Sequence, residues 1–386
     1  MRNWLLPEFL EDILPAEALL IERLRAGMLE LFRVHGYQLV MPPMIEYVES
    51  LLTGTGRDMD LATFRLVDQL SGRHMGLRAD ITPQVARIDA HLLNCHGVTR
   101  LCYAGSVLHT LPAGLMRTRE PLQIGAELYG HAGLESDIEV QRLMLAALRA
   151  AGIAHVHLDL GHVGIFRALS QEAGLASRDE QEIFKALQAK DASTLSELTG
   201  GLKPAIRHAL RRLPELYGDS KVLATAEAVL PALPDIVAAL GYLRRIVGVL
   251  GAEVAEVSFD LAELTGYHYH TGVVFAAYAR GSADAIARGG RYDGIGKAFG
   301  RSRPATGFSI VDLRQFVALL PASLPSPGIL APTDEDAPLK AKIDALRAAG
   351  EAVIADLSGH EGARAELNCD RVLMKLGGEW QVEKLA

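Results

Sequence analysis

The sequence predicts an α+β chain whose main sheet is mainly antiparallel and flanked by helices, with a helical insertion and a small α/β unit at its end. Three observations carry that expectation. The early strand-like runs are joined by short turns rather than by crossover helices, which suits antiparallel pairing. From about residue 168 to 248 the texture changes to Ala/Leu-rich helical segments broken by prolines at 204, 214, 231 and 234. Prolines at 321, 325, 327 and 332 then mark a linker, dividing residues 1–320 from 321–386.

Pro15 to Val34 reads as an amphipathic helix, with Leu20, Leu24, Met28, Leu31 and Phe32 near one face and Glu22, Arg23, Arg25 and Glu30 elsewhere. Pro15 suits its first turn and Gly36 its end. A strand is expected at Tyr37–Met41, stopped by Pro42–Pro43, and Thr63–Val67 with His74–Leu77 reads as a hairpin around Ser71–Gly72. Asp80-Ile81-Thr82-Pro83 is a helix-start signal, with Thr82 as cap and Pro83 at the first helical position, the helix running to about Asn94. Another helix starts at Ser136 or Asp137 and runs through Arg149, and His155–Leu160 alternates as a strand. Past the insertion, strands are expected at Val254–Phe259, His268–Ala279 and Phe308–Val311. A glycine-rich turn region spans Gly289–Gly300, and Arg314 opens a helix. The last unit combines strands at Gly328–Leu330, Ala352–Asp356 and Arg371–Lys375 with a helix at Leu339–Ala348.

With 386 residues, 49% hydrophobic and 22% charged, the composition is that of an ordinary globular protein. The net charge of −8 provides no global basic field for nucleic acid, and no run of some 18 apolar residues predicts a membrane span. Glu8, Glu11 and Asp12 near the start do not read as a signal peptide, so a cytoplasmic location is expected. Cys95, Cys102 and Cys369 are too scattered for a disulfide framework and are expected to pack in the core.

Arg100 to Gly130 holds two strand-like runs around a break at Pro112 and Gly114. In the second, Gln123, Gly125, Glu127 and Tyr129 share one face while Leu122, Ile124, Ala126 and Leu128 share the other. Such a strand suits the floor of a polar pocket, although a solvated outer face is the commoner use of the pattern. Other signals are weak. Gly294-x-Gly296-x-x-x-Gly300 misses the dinucleotide-loop spacing, and the His268/His270 and His155/His157 pairs lack a third metal ligand nearby. No metal site, cofactor site or catalytic residue is expected.

Several ordered segments carry a resemblance. Glu11-Asp12-Ile13-Leu14-Pro15, the Pro43–Tyr47 run, Leu77-Arg78-Ala79-Asp80-Ile81-Thr82, Arg100–Gly130, Gly289–Gly294 and Pro304–Arg314 stand in register with landmarks of histidyl-tRNA synthetases. The resemblance covers about residues 5–320 and implies a class II aminoacyl-tRNA-synthetase-like fold. It also exposes departures. Where those enzymes carry an arginine on the ATP α-phosphate and a glutamate two residues later, this chain has His109 and Leu111. Where their Arg-Gly-Leu-Asp-Tyr-Tyr run supplies another arginine, it has Thr265 at the head of Thr265–His270. A histidine of ordinary pKa is mostly neutral at pH 7 and cannot grip phosphate with a fixed fork. Losing such a preorganised cation typically costs about 10²–10³ in rate. Arg314 remains at the third-motif position, and Arg117 and Arg119 are further candidate anion-binding residues.

The positions that contact histidine in the synthetases correspond to Asp80, Thr82, Gln123, Glu127, Tyr269 and His270. Acids and a threonine hydroxyl can bind an α-ammonium, and Gln123, Glu127 or an aromatic hydroxyl can meet an imidazole. The tail from Gly328 resembles a shortened anticodon-binding domain without a basic cluster, which disfavours tRNA as a partner. Among synthetase paralogues, the Leu160–Leu169 run, the Arg78–Gln84 segment and the short tail are similar to the regulatory subunits of ATP phosphoribosyltransferase. That resemblance implies a non-catalytic subunit of the first enzyme of histidine biosynthesis, partnered with a short-form catalytic subunit and mediating feedback inhibition by histidine. A homodimer core within a hetero-oligomer is implied by the same analogy. The alternative is a divergent adenylate-forming ligase using Arg314, Arg117 and Arg119 in place of the lost cations.

Overall fold

The computed structural model describes residues 5–53, 57–112, 117–267, 269–320, 326–359 and 361–385. Gly114, His268, Pro321 and Pro325 lie outside the described residues. The chain divides into two compact units, residues 1–321 and 322–386.

The first unit opens with helix α1 (Pro15–Val34), whose deepest residues are Ile21, Met28 and Phe32. Gly36 follows at φ +84°, a left-handed conformation that lets the chain leave the helix sharply. Strands β1 (Gln38–Leu39) and β2 (Ile45–Tyr47) flank the two prolines, and short helices α2 (Val48–Leu51) and α3 (Arg57–Ala62) lead to β3 (Arg65–Val67) and β4 (His74–Leu77). β4 pairs antiparallel with both β2 and β3 in a small separate sheet. Helix α4 (Thr82–Arg87) passes into a π-helical turn at Ile88–Leu93, closed by Asn94 in the left-handed region. The expected cap is corrected here: Thr82 is the first helical residue, and its backbone N–H donates to Asp80 Oδ1 at 3.0 Å. The aspartate closes the turn, leaving the threonine hydroxyl free to point elsewhere.

Next come β5 (Thr99–Ser106), β6 (Leu122–Tyr129), α5 (Leu134–Ala150) and β7 (Val156–His162). The insertion contributes α6 (Gly164–Ala173), α7 (Ser177–Gln188), α8 (Ala192–Leu198), α9 (Pro204–Arg212), β8 (Tyr217–Gly218), α10 (Lys221–Val229) and α11 (Pro234–Leu250). The expectation of uninterrupted helices fails at β8, which pairs with β9 (Glu256–Asp260) and ends the main sheet. Two residues show no period, so backbone pairing alone defines this strand. β10 (Val273–Ala279), β11 (Ala287–Arg291), β12 (Ala305–Ile310) and α12 (Arg314–Leu319) complete the unit. Among the described residues the main sheet has nine strands in the order β1-β5-β6-β12-β11-β10-β7-β9-β8, antiparallel except at β1–β5 and β7–β9.

Two sequence expectations change at the centre of this sheet. The strand expected from residue 268 starts at Val273, because Gly266 (φ +72°) turns the chain so that the Tyr269 and His270 N–H groups both donate to its carbonyl. Gly289 and Gly290, expected in a turn region, lie inside β11. A Cβ on Gly289 would meet the Gly307 carbonyl and the Phe275 ring, so glycine here serves close strand approach rather than a turn.

One face of the sheet carries the larger core, where Ile124, Ala126 and Leu128 pack with Phe32, Met144, Leu148, Phe166 and Phe308. The other face holds a smaller cluster including Ile81, Val85, Leu101, Tyr103, Tyr129 and Tyr292. β6 is therefore buried on both faces from Gln123 onward, and a solvated outer face is ruled out. Of the cysteines, Cys102 is buried and Cys369 half-buried, but Cys95 is exposed, so core packing does not hold for it. Among the described residues no helix is long and apolar enough to cross a membrane.

The second unit contains β13 (Gly328–Ala331), α13 (Ala337–Ala348), β14 (Val353–Ala355), β15 (Cys369–Leu376) and β16 (Glu379–Lys384) in the order β14-β13-β15-β16. β13 is parallel to both neighbours and carries Ile329 and Ala331 into a small core with Leu339, Val353 and Leu373.

Candidate functional site

Strand register builds the floor of a cavity. Glu127 on β6 lies opposite Gly307 on β12, Gly307 opposite Gly290 on β11, Gly290 opposite Val274 on β10, and Val274 opposite Gly161 on β7. Side chains alternate along each strand, so one row across the sheet reads Glu-Gly-Gly-Val-Gly on a single face. The missing side chains leave a trough. A Cβ on Gly307 would overlap the Glu127 carboxylate, and one on Gly290 would press on the Val273 carbonyl and the His270 ring.

Over this trough lies a cavity of about 400 Å³, lined by Asp80, Thr82, Glu127, Thr265, Tyr269, His270, Arg288 and Tyr292, with Phe184 and Gln188 of α7 along its wall. That volume suits a small ligand. Glu127 is the deepest acid, 1% exposed. Tyr103 donates to its Oε1 at 3.2 Å and Tyr292 to its Oε2 in a short bond. Burial dominates over these donors and pushes the Glu127 carboxyl up to about 8, with the nearby Asp80 charge adding to the rise. Thr82 Oγ1 meets the Tyr103 hydroxyl at 3.0 Å. Gln123 does not line the cavity. It stands behind, donating to Asp80 Oδ1 at 2.8 Å and accepting from the Ile81 N–H at 3.0 Å, which fixes the Asp80 carboxylate.

Tyr269 stacks on Tyr292 with centroids 4.8 Å apart, and its buried hydroxyl has no hydrogen-bond partner among the described residues. Leaving such a group unpaired costs roughly 1–3 kcal/mol. His270 Nδ1 faces the Arg291 carbonyl at 3.3 Å. A carbonyl only accepts, so Nδ1 carries the proton and Nε2 is left as an acceptor. Burial pulls this imidazole down to about 4, which keeps it neutral. Arg291 in turn is clamped by Asp137 (Nε to Oδ2, 3.0 Å), the Ser136 hydroxyl and the His131 and Gly133 carbonyls at the start of α5. That anchor holds the neighbouring Tyr292 in place.

The positions that differ from the synthetases lie in other surroundings. His109 Nε2 donates to the Ala79 carbonyl at 2.9 Å, and Leu111 is 76% exposed. Thr265 is exposed at the cavity edge. Arg117 pairs with Asp284 at 2.9 Å, and Arg119 donates to the His109 carbonyl while lying over the Phe64 ring. Arg314 Nε and Nη1 are buried without hydrogen-bond partners among the described residues, and its backbone N–H donates to Asp312 Oδ1 at 3.1 Å. None of Arg117, Arg119 and Arg314 lines the cavity. Among the described residues no group of three His, Cys, Asp or Glu side chains can hold a metal ion.

Sequence reasoning missed Tyr103, Tyr292 and Arg288. Tyr103 was reachable from the register, since it lies opposite Gly125 on the pocket face. Tyr292 and Arg288 flank Gly289-Gly290-Arg291, and their roles depend on placing those glycines in a strand rather than a turn.

Comparison with known proteins agrees with this architecture. Residues 9–315 match the family model described as histidyl-tRNA synthetase, and residues 326–383 match that of the ATP phosphoribosyltransferase subunit HisZ C-terminal domain. The chain is 60% identical over 383 residues to the ATP phosphoribosyltransferase regulatory subunit of Ralstonia nicotianae, covering 99% of this chain and 98% of that one. It is 56% identical over 382 residues to the protein of that name from Methylobacillus flagellatus, with coverages of 99% and 98%. A solved structure of an ATP phosphoribosyltransferase regulatory subunit/histidyl-tRNA synthetase from Bacillus halodurans superposes with a TM-score of 0.84 at 27% identity, over 96% of this chain and 98% of that one. Histidyl-tRNA synthetase from Nostoc, at 19% identity, a TM-score of 0.76 and coverages of 100% and 97%, shares the fold.

Proposed function

This chain belongs to the family of ATP phosphoribosyltransferase regulatory subunits, and we propose that its cavity binds free histidine and relays feedback inhibition to a short-form catalytic partner. The observation that carries this reading is the grouping of Asp80, Thr82, Glu127, Tyr269 and His270 around one small cavity, with Gln123 bracing Asp80. Asp80 and the Thr82 hydroxyl offer acceptors for an ammonium, while Glu127 and the neutral His270 offer defined partners for an imidazole. On this reading adenylation is lost. Position 109 holds an imidazole tied to a backbone carbonyl, position 111 an exposed leucine, and position 265 a threonine, where phosphate chemistry needs fixed charge.

The subunit works in the cytoplasm as a dimer core within a hetero-oligomer. Leu39 on edge strand β1 and the nearby Met41, 50% and 78% exposed, support an apolar contact there. Histidine binding and substrate binding by the assembled complex are coupled, and the coupling is reciprocal. Mixing this chain with a short-form catalytic subunit is expected to raise product formation, and added histidine to lower it. No rise and no histidine response would overturn the proposal. Histidine-dependent pyrophosphate exchange by the purified chain would instead favour the adenylate-forming ligase. Calorimetry on the assembled complex adds a further check, because histidine affinity unchanged by saturating substrates would defeat the linkage.

A further inference from the structure

We infer that Arg288 is the carboxylate anchor of this cavity and so a specificity-determining residue for α-amino acids, an inference that rests on the histidine-binding reading above. Arg288 lies on β11 two residues before Gly290, and therefore on the same sheet face as the Glu127–Gly307–Gly290 row. One intervening strand and a two-residue offset place its backbone roughly 12 Å from that of Glu127. An arginine and a glutamate reaching toward each other across that span leave room for one amino acid between the two head groups. Gly307 and Gly290 bring no side chain to screen the gap.

The other arginines close by are committed. Arg291 is held by Asp137 and Ser136, and Arg167 donates to the His270 carbonyl at 2.9 Å. Arg288 has no hydrogen bond or ion pair among the described residues, although it lines the cavity. A small hollow beside it is also lined by Asp159, Glu263 and Tyr278, none of which forms a hydrogen bond or ion pair with Arg288 among the described residues. Thr265 lines the same two cavities. The ligand then lies along the glycine trough, its side chain toward Glu127 and its carboxylate at Arg288.

Calorimetric titration of the full chain with L-histidine and with L-histidinol, which replaces the carboxylate by an alcohol, tests this. Arg288→Met is expected to weaken histidine binding roughly 10- to 100-fold, leave histidinol binding unchanged, and show partial recovery in Arg288→Lys. Unchanged histidinol binding also certifies that the variant is folded. Equal loss for both ligands, or no loss for histidine, overturns the role of Arg288 while leaving the site standing. Failure of the unmodified chain to bind histidine overturns the site reading and this inference with it.

Discussion

The β5–β6 hairpin serves two regions that treat polar groups in opposite ways. Along the strands, Tyr103, Gln123 and Glu127 are buried around an open cavity, with donors and acceptors aimed into or braced behind it. Toward the tip, His109 and Arg119 spend their donors on backbone carbonyls, and Arg117 spends its charge on Asp284. The same hairpin thus keeps a ligand pocket at one end and self-satisfied surface at the other. Empty volume beside buried polar atoms is what distinguishes a binding region from a structural one. Arg314 stands apart from both, with buried Nε and Nη1 atoms that no described residue pairs.

The sharpest way to break the comparison is to fill the trough. Gly307→Val places carbon where the Glu127 carboxyl sits and is expected to weaken histidine binding by about 100-fold or more, read by calorimetry. Retained affinity would show that the ligand does not use this floor. Glu127→Gln comes next. Glu127 holds its proton in the folded chain up to about pH 8 but loses it near the ordinary carboxyl value when unfolded. Its contribution to stability is full below that ordinary value and is lost as pH rises through 8. The glutamine variant is expected to lack this decline in denaturant titrations between pH 5 and 9 and to bind histidine roughly tenfold more weakly. An unchanged pH profile would mean that Glu127 is ionised throughout.

The smallest effects separate the two ends most cleanly. Tyr269→Phe removes an unpaired buried hydroxyl and should raise ligand-free stability by about 1 kcal/mol while lowering histidine affinity. His109→Ala removes a satisfied hydrogen bond and should cost about 1 kcal/mol of stability with histidine affinity unchanged. Thermal melts and calorimetry on both variants suffice, and matching changes in the two would dissolve the distinction.

Much of this was legible in the chain itself. Alternation from Leu122 to Tyr129 separates the two faces of β6, and the apolar period of Pro15–Val34 marks the buried side of α1. The ordered landmarks also placed Asp80, Thr82, Glu127, Tyr269 and His270, five residues from three distant segments that the structure gathers around one cavity. The first two readings rest on local periodicity, a property of neighbouring positions that one sequence is enough to show, and the third on the resemblance to histidyl-tRNA synthetases.

What only the tertiary structure decided depends on register between strands far apart in the chain. Whether Gly289 and Gly290 turn or extend follows from what a Cβ would strike on β10 and β12. Whether Gln123 touches the ligand space or braces Asp80 follows from a contact across 43 positions. Arg288 carries no local signal at all. Its place on the glycine trough exists only once β6, β12 and β11 are laid side by side, because long-range pairing rather than local preference sets which side chains share a face.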